Sequence, residues 1–330
     1  MEKRILGKDL VVSAVGLGCM GFSHAYGVAT NQNEAIKTIR EAYELGYLFF
    51  DTAQCYQGYY QDGNVSINEE LVGKALIDVR PNATIATKFG VNLEHQTSGK
   101  PIPDSRPEVI YKSVDESLKK LKTDYIDLYF QHRIDPKVPA EVVAEVMADL
   151  IKKGKIRHWG ISETDESYLR KAHAVCPVTA VENRYSMMAR NYEHLFPVLE
   201  ELKVGLVAFS PMANGFLSGA YSEKSNFEDI DYRSIMPQFS HKGIAENQML
   251  LKYIFSIAHE YNASPAQISL AWMLCKRSWI VPIPGSRKLA RIKENASSTE
   301  IKLNEEEVSK IDSMLDTIKM SDIFGVEKSN

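Results

Sequence analysis

Short apolar runs with strand character alternate along this chain with longer amphipathic segments, and the alternation carries through eight strands without a break in composition. The strand patterns are AVGLGC from Ala14, YLFFDTA from Tyr47, ATIATKF from Ala83, IDLYFQH from Ile126, IRHWGIS from Ile156, VTAVENRY from Val178, GLVAFSP from Gly205 and IVPIPG from Ile280. Helical spacing marks NEAIKTIREAYELG, NEELVGKALID, PEVIYKSVDESLKKL, AEVVAEVMADLIKKG and DESYLRKAHAV. In the next segment, YEHLFPVLEEL, Pro197 leaves the first turn open. A doubly wound open sheet would need fewer strands per domain and a visible linker, and there is none. The pattern predicts an α/β fold: a single (β/α)8 TIM barrel over residues 1–330. An N-terminal hairpin is expected in RILGKDLVVS and an extra C-terminal helix in NEEEVSKIDSML.

Four polar residues stand out, three at the ends of these strands and Tyr56 a few residues past the end of one. Asp51 and Tyr56 lie in FFDTAQCY, Lys88 in TIATKFG and His132 in IDLYFQHRIDP. A strand buried on both faces hands its C-terminal end to a loop, where polar groups meet a ligand. Taken singly, each has a bland reading: a structural ion pair for Asp51 and Lys88, a core histidine, a loop aromatic. Together at one barrel mouth they point to an enzyme. Three irregular stretches are expected to rim that mouth. They are QGYYQDGNVSIN after Tyr56, GVNLEHQTSGKPIPDSRP after Lys88, and the long segment from Gly219 before the eighth strand.

Composition excludes several classes. A net charge of -4 offers no basic field for nucleic acid and no polybasic segment for a membrane surface. No run approaches the roughly 18 apolar residues of a membrane span. The start, MEKRILGKDL, lacks the apolar core of a signal peptide. Cys19, Cys55, Cys176 and Cys275 are scattered, with no CxxC, and are expected to be free thiols in a reducing cytoplasm. A metal-dependent barrel hydrolase needs clustered ligands at strand ends, and only His132 qualifies, so no metal is expected.

Gly16, Gly18 and Gly21 spell GLGCMG, which matches the dinucleotide fingerprint GxGxxG. That fingerprint needs a helix to open at its third glycine. Here FSHAYGVATNQN follows, and a helix pattern begins only near Asn33. The expected reading is a tight turn at the barrel mouth, where backbone comes near a ligand.

FDTAxxY, TKFG, QHRIDP, FSPxxxGFLSG and IPGSxxxxRIKEN occur in that order, and over essentially its whole length the chain resembles the aldo-keto reductases. The resemblance implies a barrel without a separate dinucleotide domain, NADPH bound extended at the mouth, and reversible reduction of aldehydes or ketones. By the same resemblance Tyr56 is the acid in reduction and the base in oxidation. A phenol of pKa near 10 is a weak acid at neutral pH, and Lys88 is expected to lower it, with Asp51 holding Lys88 charged. His132 would donate to the carbonyl oxygen and orient the substrate.

The resemblance also assigns cofactor contacts. Phe209 would stack on the nicotinamide, Ser162 and Glu182 would meet its carboxamide, and Gly21, Asp51, Ser210, Pro211 and Gly215 would line its path. Gly285 would lie in the cofactor site, Ser286 with one or both of Arg287 and Arg291 would hold the adenosine 2′-phosphate, favouring NADPH over NADH, and Glu294 and Asn295 would meet the adenine. Lys288 reads as a solvated helix residue. Met20, Phe22, Tyr26, Tyr59 and His132 are the expected substrate pocket.

Three departures stand out. Glu163 replaces a common Asn. SPMANGFLSG stands where SPLGRGFLTG is common, which predicts weaker cofactor affinity. Glu182 replaces a glutamine: it either shifts preference toward NADP+ or is held neutral by its site. The expected partner is a small carbonyl compound, and the expected state a monomer or weak homo-oligomer. A different class, an NADPH-binding regulatory subunit with slow turnover like the potassium-channel β subunits, keeps the same four residues and stays open here.

Overall fold

The computed structural model describes residues 1–92 and 102–323. Eight parallel strands form one sheet, each pairing with the next in chain order. They are β1 (Leu17–Gly18), β2 (Phe49–Asp51), β3 (Thr84–Phe89), β4 (Ile126–Gln131), β5 (Ile156–Ser162), β6 (Ala180–Arg184), β7 (Gly205–Phe209) and β8 (Ile280–Pro282). The sheet closes on itself where Gly16 N donates to Pro282 O (2.9 Å) and Gly18 N to Pro284 O (3.3 Å). A β-carbon on Gly18 would lie 2.7 Å from Ile283 O, so this glycine serves the seam of the barrel. The GxGxxG reading fails as the sequence predicts. Met20–Phe22 forms one 3-10 turn, and α1 (Gln32–Glu44) starts only after Asn31 caps it through the amides of Asn33 and Glu34.

The remaining helices follow the strand rhythm: α2 (Asn68–Leu76), α3 (Pro107–Leu121), α4 (Ala140–Lys152), α5 (Glu166–Val175) and α6 (Phe196–Leu202). Pro197 sits in the first turn of α6, where its missing donor costs nothing. The segment before β8 differs from its sequence reading. It carries 3-10 turns at Tyr232–Ile235 and Pro237–Phe239, then α7 (His241–Glu246), α8 (Gln248–Glu260) and α9 (Pro265–Lys276). Tyr221, Phe227 and Phe239 pack ring against ring there, at centroid distances of 5.1–5.6 Å. Aromatic packing gives that segment order without helical periodicity. After β8 come α10 (Leu289–Ser297) and α11 (Glu305–Thr317). The last is the expected C-terminal helix, started by a capping box between Asn304 and Glu307 and tied to α9 by Trp272 Nε1 donating to Asp312 Oδ1 (2.9 Å).

The expected N-terminal hairpin pairs Lys3–Leu6 with Leu10–Ser13. Leu6, Leu10 and Val12 pack with Phe49, Ala86, Leu128, Phe130, Ala180, Val207 and Val281, so the hairpin stoppers one end of the barrel with apolar side chains. The second hairpin, Gln57–Tyr59 with Val65–Ile67, falls in one stretch expected to rim the mouth, yet it lines no part of the cavity. Much of another stretch, residues 93–101, lies outside the described residues, as do 324–330. No helix among the described residues is long and apolar enough to cross a membrane.

Candidate active site

Strand alternation decides which side chains reach the open end. Successive residues of a strand point to opposite faces, so a residue two beyond an interior one also faces inward. Phe49, Ala86, Phe130, Ala180 and Val207 belong to the interior apolar cluster. Two residues beyond them stand Asp51, Lys88, His132, Glu182 and Phe209, with Arg184 two further on β6. Tyr56 comes from the turn after β2. Its carbonyl accepts from Asn68 N (3.0 Å) and Ser23 Oγ (3.1 Å).

Lys88 is the centre of the cluster. Its Nζ donates to Asp51 Oδ1 (2.6 Å), Asp51 Oδ2 (2.7 Å) and the Thr52 carbonyl (3.0 Å), and lies 3.2 Å from Glu182 Oε1. The same nitrogen is 5.2 Å from the centre of the Tyr56 ring. The Tyr56 ring meets His132 edge-on at 5.7 Å and lies nearly parallel to His24 at 6.1 Å. Asp51, Lys88, Glu182 and His132 are buried. Cys55 Sγ lies 3.4 Å from His132 Nδ1.

Burial sets the protonation states. It works against the Lys88 ammonium, but Asp51 and Glu182 outweigh it and hold the amine above its ordinary value. Burial pushes the Glu182 carboxyl up to about 8, with the Asp51 charge adding to it and Lys88 opposing. Asp51 is also raised by burial, against the pull of Lys88. His132 is held well below the usual imidazole range by burial and by the nearby cations Arg133 and Lys88. The phenol of Tyr56 corrects one expectation: Lys88 does pull it down, but burial raises it more, and its net displacement is upward.

The mouth opens into a cavity of about 710 Å³. Of the sequence-derived candidates it is lined by Met20, Gly21, Tyr26, Asp51, Tyr56, His132, Ser162, Glu182, Phe209, Ser210, Pro211, Gly215, Gly285, Ser286, Arg287, Arg291, Glu294 and Asn295. Lys88 lies behind this wall, reaching it through Asp51 and Glu182. Two pocket candidates fail. Phe22 is 1% exposed and packs in the core, and Tyr59 is 66% exposed on the outer hairpin. In both cases local chain path, unreadable from residue type, turned the aromatic away.

Several candidates already have partners. Ser162 Oγ donates to the Glu182 carbonyl (2.9 Å). Arg287 donates to the carbonyls of Gly21 and Val28, clamping the turn after β8 to the loop after β1, and its Nη2 has no partner. Arg291 pairs with Glu294 at 2.7 Å. Ser210, Ala213, Asn214 and Gly215 all have positive φ. That conformation is costly for the first three and is a feature of strained functional loops.

The cavity wall also includes His24, Cys55, Arg133, Arg184 and Arg233, which the sequence reading passed over, Asn214 of the SPMANGFLSG loop, and Lys288, which was expected to be a solvated helix residue. Period-two counting from Glu182 would have found Arg184. Arg233 had no such signal, since the segment that carries it lacks periodicity. No group of metal-ligating side chains occurs among the described residues.

The family model for the aldo/keto reductase family matches residues 14–316. The chain belongs to that family. A probable aldo-keto reductase from Glycine max is 34% identical over 323 residues, covering 95% of this chain and 88% of that protein. Aldo-keto reductase str7 from Strobilurus tenacellus is 34% identical over 322 residues, covering 94% and 91%. Among solved structures, a glycerol dehydrogenase from Gluconobacter oxydans superposes with a TM-score of 0.84 at 25% identity, covering 99% of this chain and 98% of that one. This aldo/keto reductase thus has its fold and its oxidoreductase class in common with relatives that run its whole matched length.

Proposed function

We propose that this chain is an NADPH-dependent oxidoreductase that reversibly reduces aldehydes or ketones to alcohols. The observation that carries the reading is the buried cluster in which Lys88 joins Asp51 and Glu182 beside the Tyr56 ring, with His132 on that ring's edge.

The cavity suits a nicotinamide dinucleotide. Polar atoms without partners, Asn214 Oδ1 and Arg287 Nη2, belong to residues of its wall. Ser162 and Glu182 would meet the carboxamide, and Phe209 the ring face. Gly21, Ser210, Pro211 and Gly215 would follow the pyrophosphate. Gly285, Ser286, Arg287 and Arg291 would take the 2′-phosphate, and Glu294 and Asn295 the adenine. The bound cofactor supplies a hydride to the carbonyl carbon.

The chain's own residues handle the proton. Tyr56 gives its phenolic proton to the substrate oxygen, and the resulting phenolate is stabilised by the Lys88 ammonium next to it. Asp51 keeps that ammonium charged and fixed. The raised resting value of the phenol keeps Tyr56 protonated before reaction, the state an acid requires. His132 is neutral, and Cys55, pushed up to about 12 by burial, is a protonated thiol. A thiol donating to Nδ1 leaves Nε2–H free to donate to the carbonyl oxygen. Glu182, neutral below about pH 8, keeps a donor as a glutamine would.

The test is NADPH oxidation against a panel of small aldehydes and ketones, with Tyr56→Phe beside the wild type. Turnover should fall on the order of 10²–10⁴-fold in the variant while NADPH still binds. Bound NADPH with no turnover on any carbonyl would replace this reading with that of a regulatory subunit. Equal rates in the two proteins would remove Tyr56 as the proton donor.

A further inference from the structure

We propose that Arg184 anchors an anionic group of the substrate, so that the preferred carbonyl compounds carry a carboxylate within a few bonds of the reacting carbon. The inference rests on the reductase reading above and names a substrate class for the same cavity.

Arg184 ends β6, two residues beyond Glu182 and on the same face. It is 8% exposed and lines the cavity. Among the described residues it has no ion pair, its side chain donates no hydrogen bond, and its buried Nε has no partner. Its guanidinium carbon lies 4.9 Å from the ring centre of Phe209, and the Glu163 carboxylate, itself paired with Arg133, acts on it only from beyond ion-pair distance. A guanidinium offers five donors in a planar fork, and burying it without an acceptor is costly unless a ligand supplies one. The fork matches a carboxylate in two parallel hydrogen bonds.

The other arginines of the wall are already engaged. Arg133 pairs with Glu163 (3.3 Å) and donates to Ser162 Oγ, and Arg233 pairs with Asp231 (2.5 Å). Arg287 holds two carbonyls, and Arg291 holds Glu294. Lys88 is saturated by Asp51, Thr52 and Glu182. Arg184 is therefore the buried cation left to a ligand among the described residues of this cavity.

Its position separates it from the phosphates of the cofactor. The residues that suit those phosphates follow β7 and β8, whereas Arg184 is on β6 beside the carboxyl group that touches Lys88. It also lies against Phe209, the aromatic that faces the nicotinamide in the proposed complex. An anion held there keeps the carbonyl end of a short chain near Tyr56 and His132.

The test compares butanal with 4-oxobutanoate, which differ by a terminal carboxylate. The wild type should favour 4-oxobutanoate in kcat/KM by about 10–100-fold, the range of a lost charged hydrogen bond. In Arg184→Gln that ratio should collapse toward one, and Arg184→Lys, which keeps a point charge, should recover part of it. A wild type with no preference overturns the proposal. So does a ratio that survives in Arg184→Gln while NADPH affinity falls, since the anion is then a cofactor phosphate. Succinate binding to the NADP+-loaded protein, followed by calorimetry, decides the matter without turnover. Binding lost in Arg184→Gln supports the subsite even if neither aldehyde is reduced, an outcome that would sink only the reductase reading. Equal succinate binding in both proteins, or none in the wild type, overturns the subsite.

Discussion

The floor and the mouth of this barrel are built by the same strands, two residues apart, from opposite materials. Phe49, Ala86, Phe130 and Ala180 meet the hairpin residues Leu6, Leu10 and Val12 in a dry apolar plug. One step along, Asp51, Lys88, His132 and Glu182 form a cluster of ionisable groups that is equally buried. The floor is stabilised by area removed from water and has no preferred partner geometry. The cluster around Lys88 stands only if each of its charges is answered, because an unpaired buried ion costs several kcal/mol. The contrast explains why rigid packing and reactive chemistry occur together: the plug fixes the strand ends on which the charges sit.

Three experiments sharpen that contrast. The largest effect is expected in Lys88→Met, which leaves Asp51 and Glu182 facing each other without a cation. Stability should drop by about 3–5 kcal/mol and turnover should vanish, as read by denaturant unfolding and NADPH oxidation. A variant that kept near-normal stability would mean the cluster's charges are not paired as described.

Leu128→Ala, in the floor, should cost a similar or smaller amount, about 2–5 kcal/mol. The residue faces the plug and not the cavity. Its effect should therefore appear in unfolding, with far less change in the pH profile of turnover than any mouth variant. A shifted pH profile would show that floor and mouth are not separable.

The effect of Glu182→Gln is the smallest near pH 5 and grows with pH. In the folded chain Glu182 titrates near 8, against an ordinary carboxyl value of 4.5. Between those values the folded state binds more protons than the unfolded one, so stability falls as pH rises through the window. One proton gives a slope of at most about 1.4 kcal/mol per pH unit. Glutamine should flatten that slope and leave the variant relatively more stable above pH 8. Parallel stability curves for the two proteins would rule out a neutral Glu182.

Much of this was legible in the residues. All eight strand patterns, the hairpin, the closing helix and the four polar residues at strand ends follow from local periodicity, which depends on near neighbours alone. Pro197 showed where the rule bends, since it opens α6 from a position that needs no amide. The unreadable parts depend on distant contacts. Tyr59 and Phe22 have the right residue type for a pocket, yet one stands in solvent and the other is sealed in the core. The segment before β8 is ordered by Tyr221, Phe227 and Phe239 against one another, a pattern with no fixed spacing.

The sequence by itself determined the architecture and the inventory of reactive groups, because strand and helix periods and the order of motifs are properties of the linear chain. Tertiary structure decided the chemical state of those groups. It placed Glu182 within 3.2 Å of Lys88, left the buried Arg184 Nε without a hydrogen-bond partner, and committed Arg287 to two backbone carbonyls. It also reversed the expected direction for Tyr56, where burial outweighs the lysine beside it. A pKa is the balance of desolvation against neighbouring charge, and both terms exist only once the strands have closed around the site.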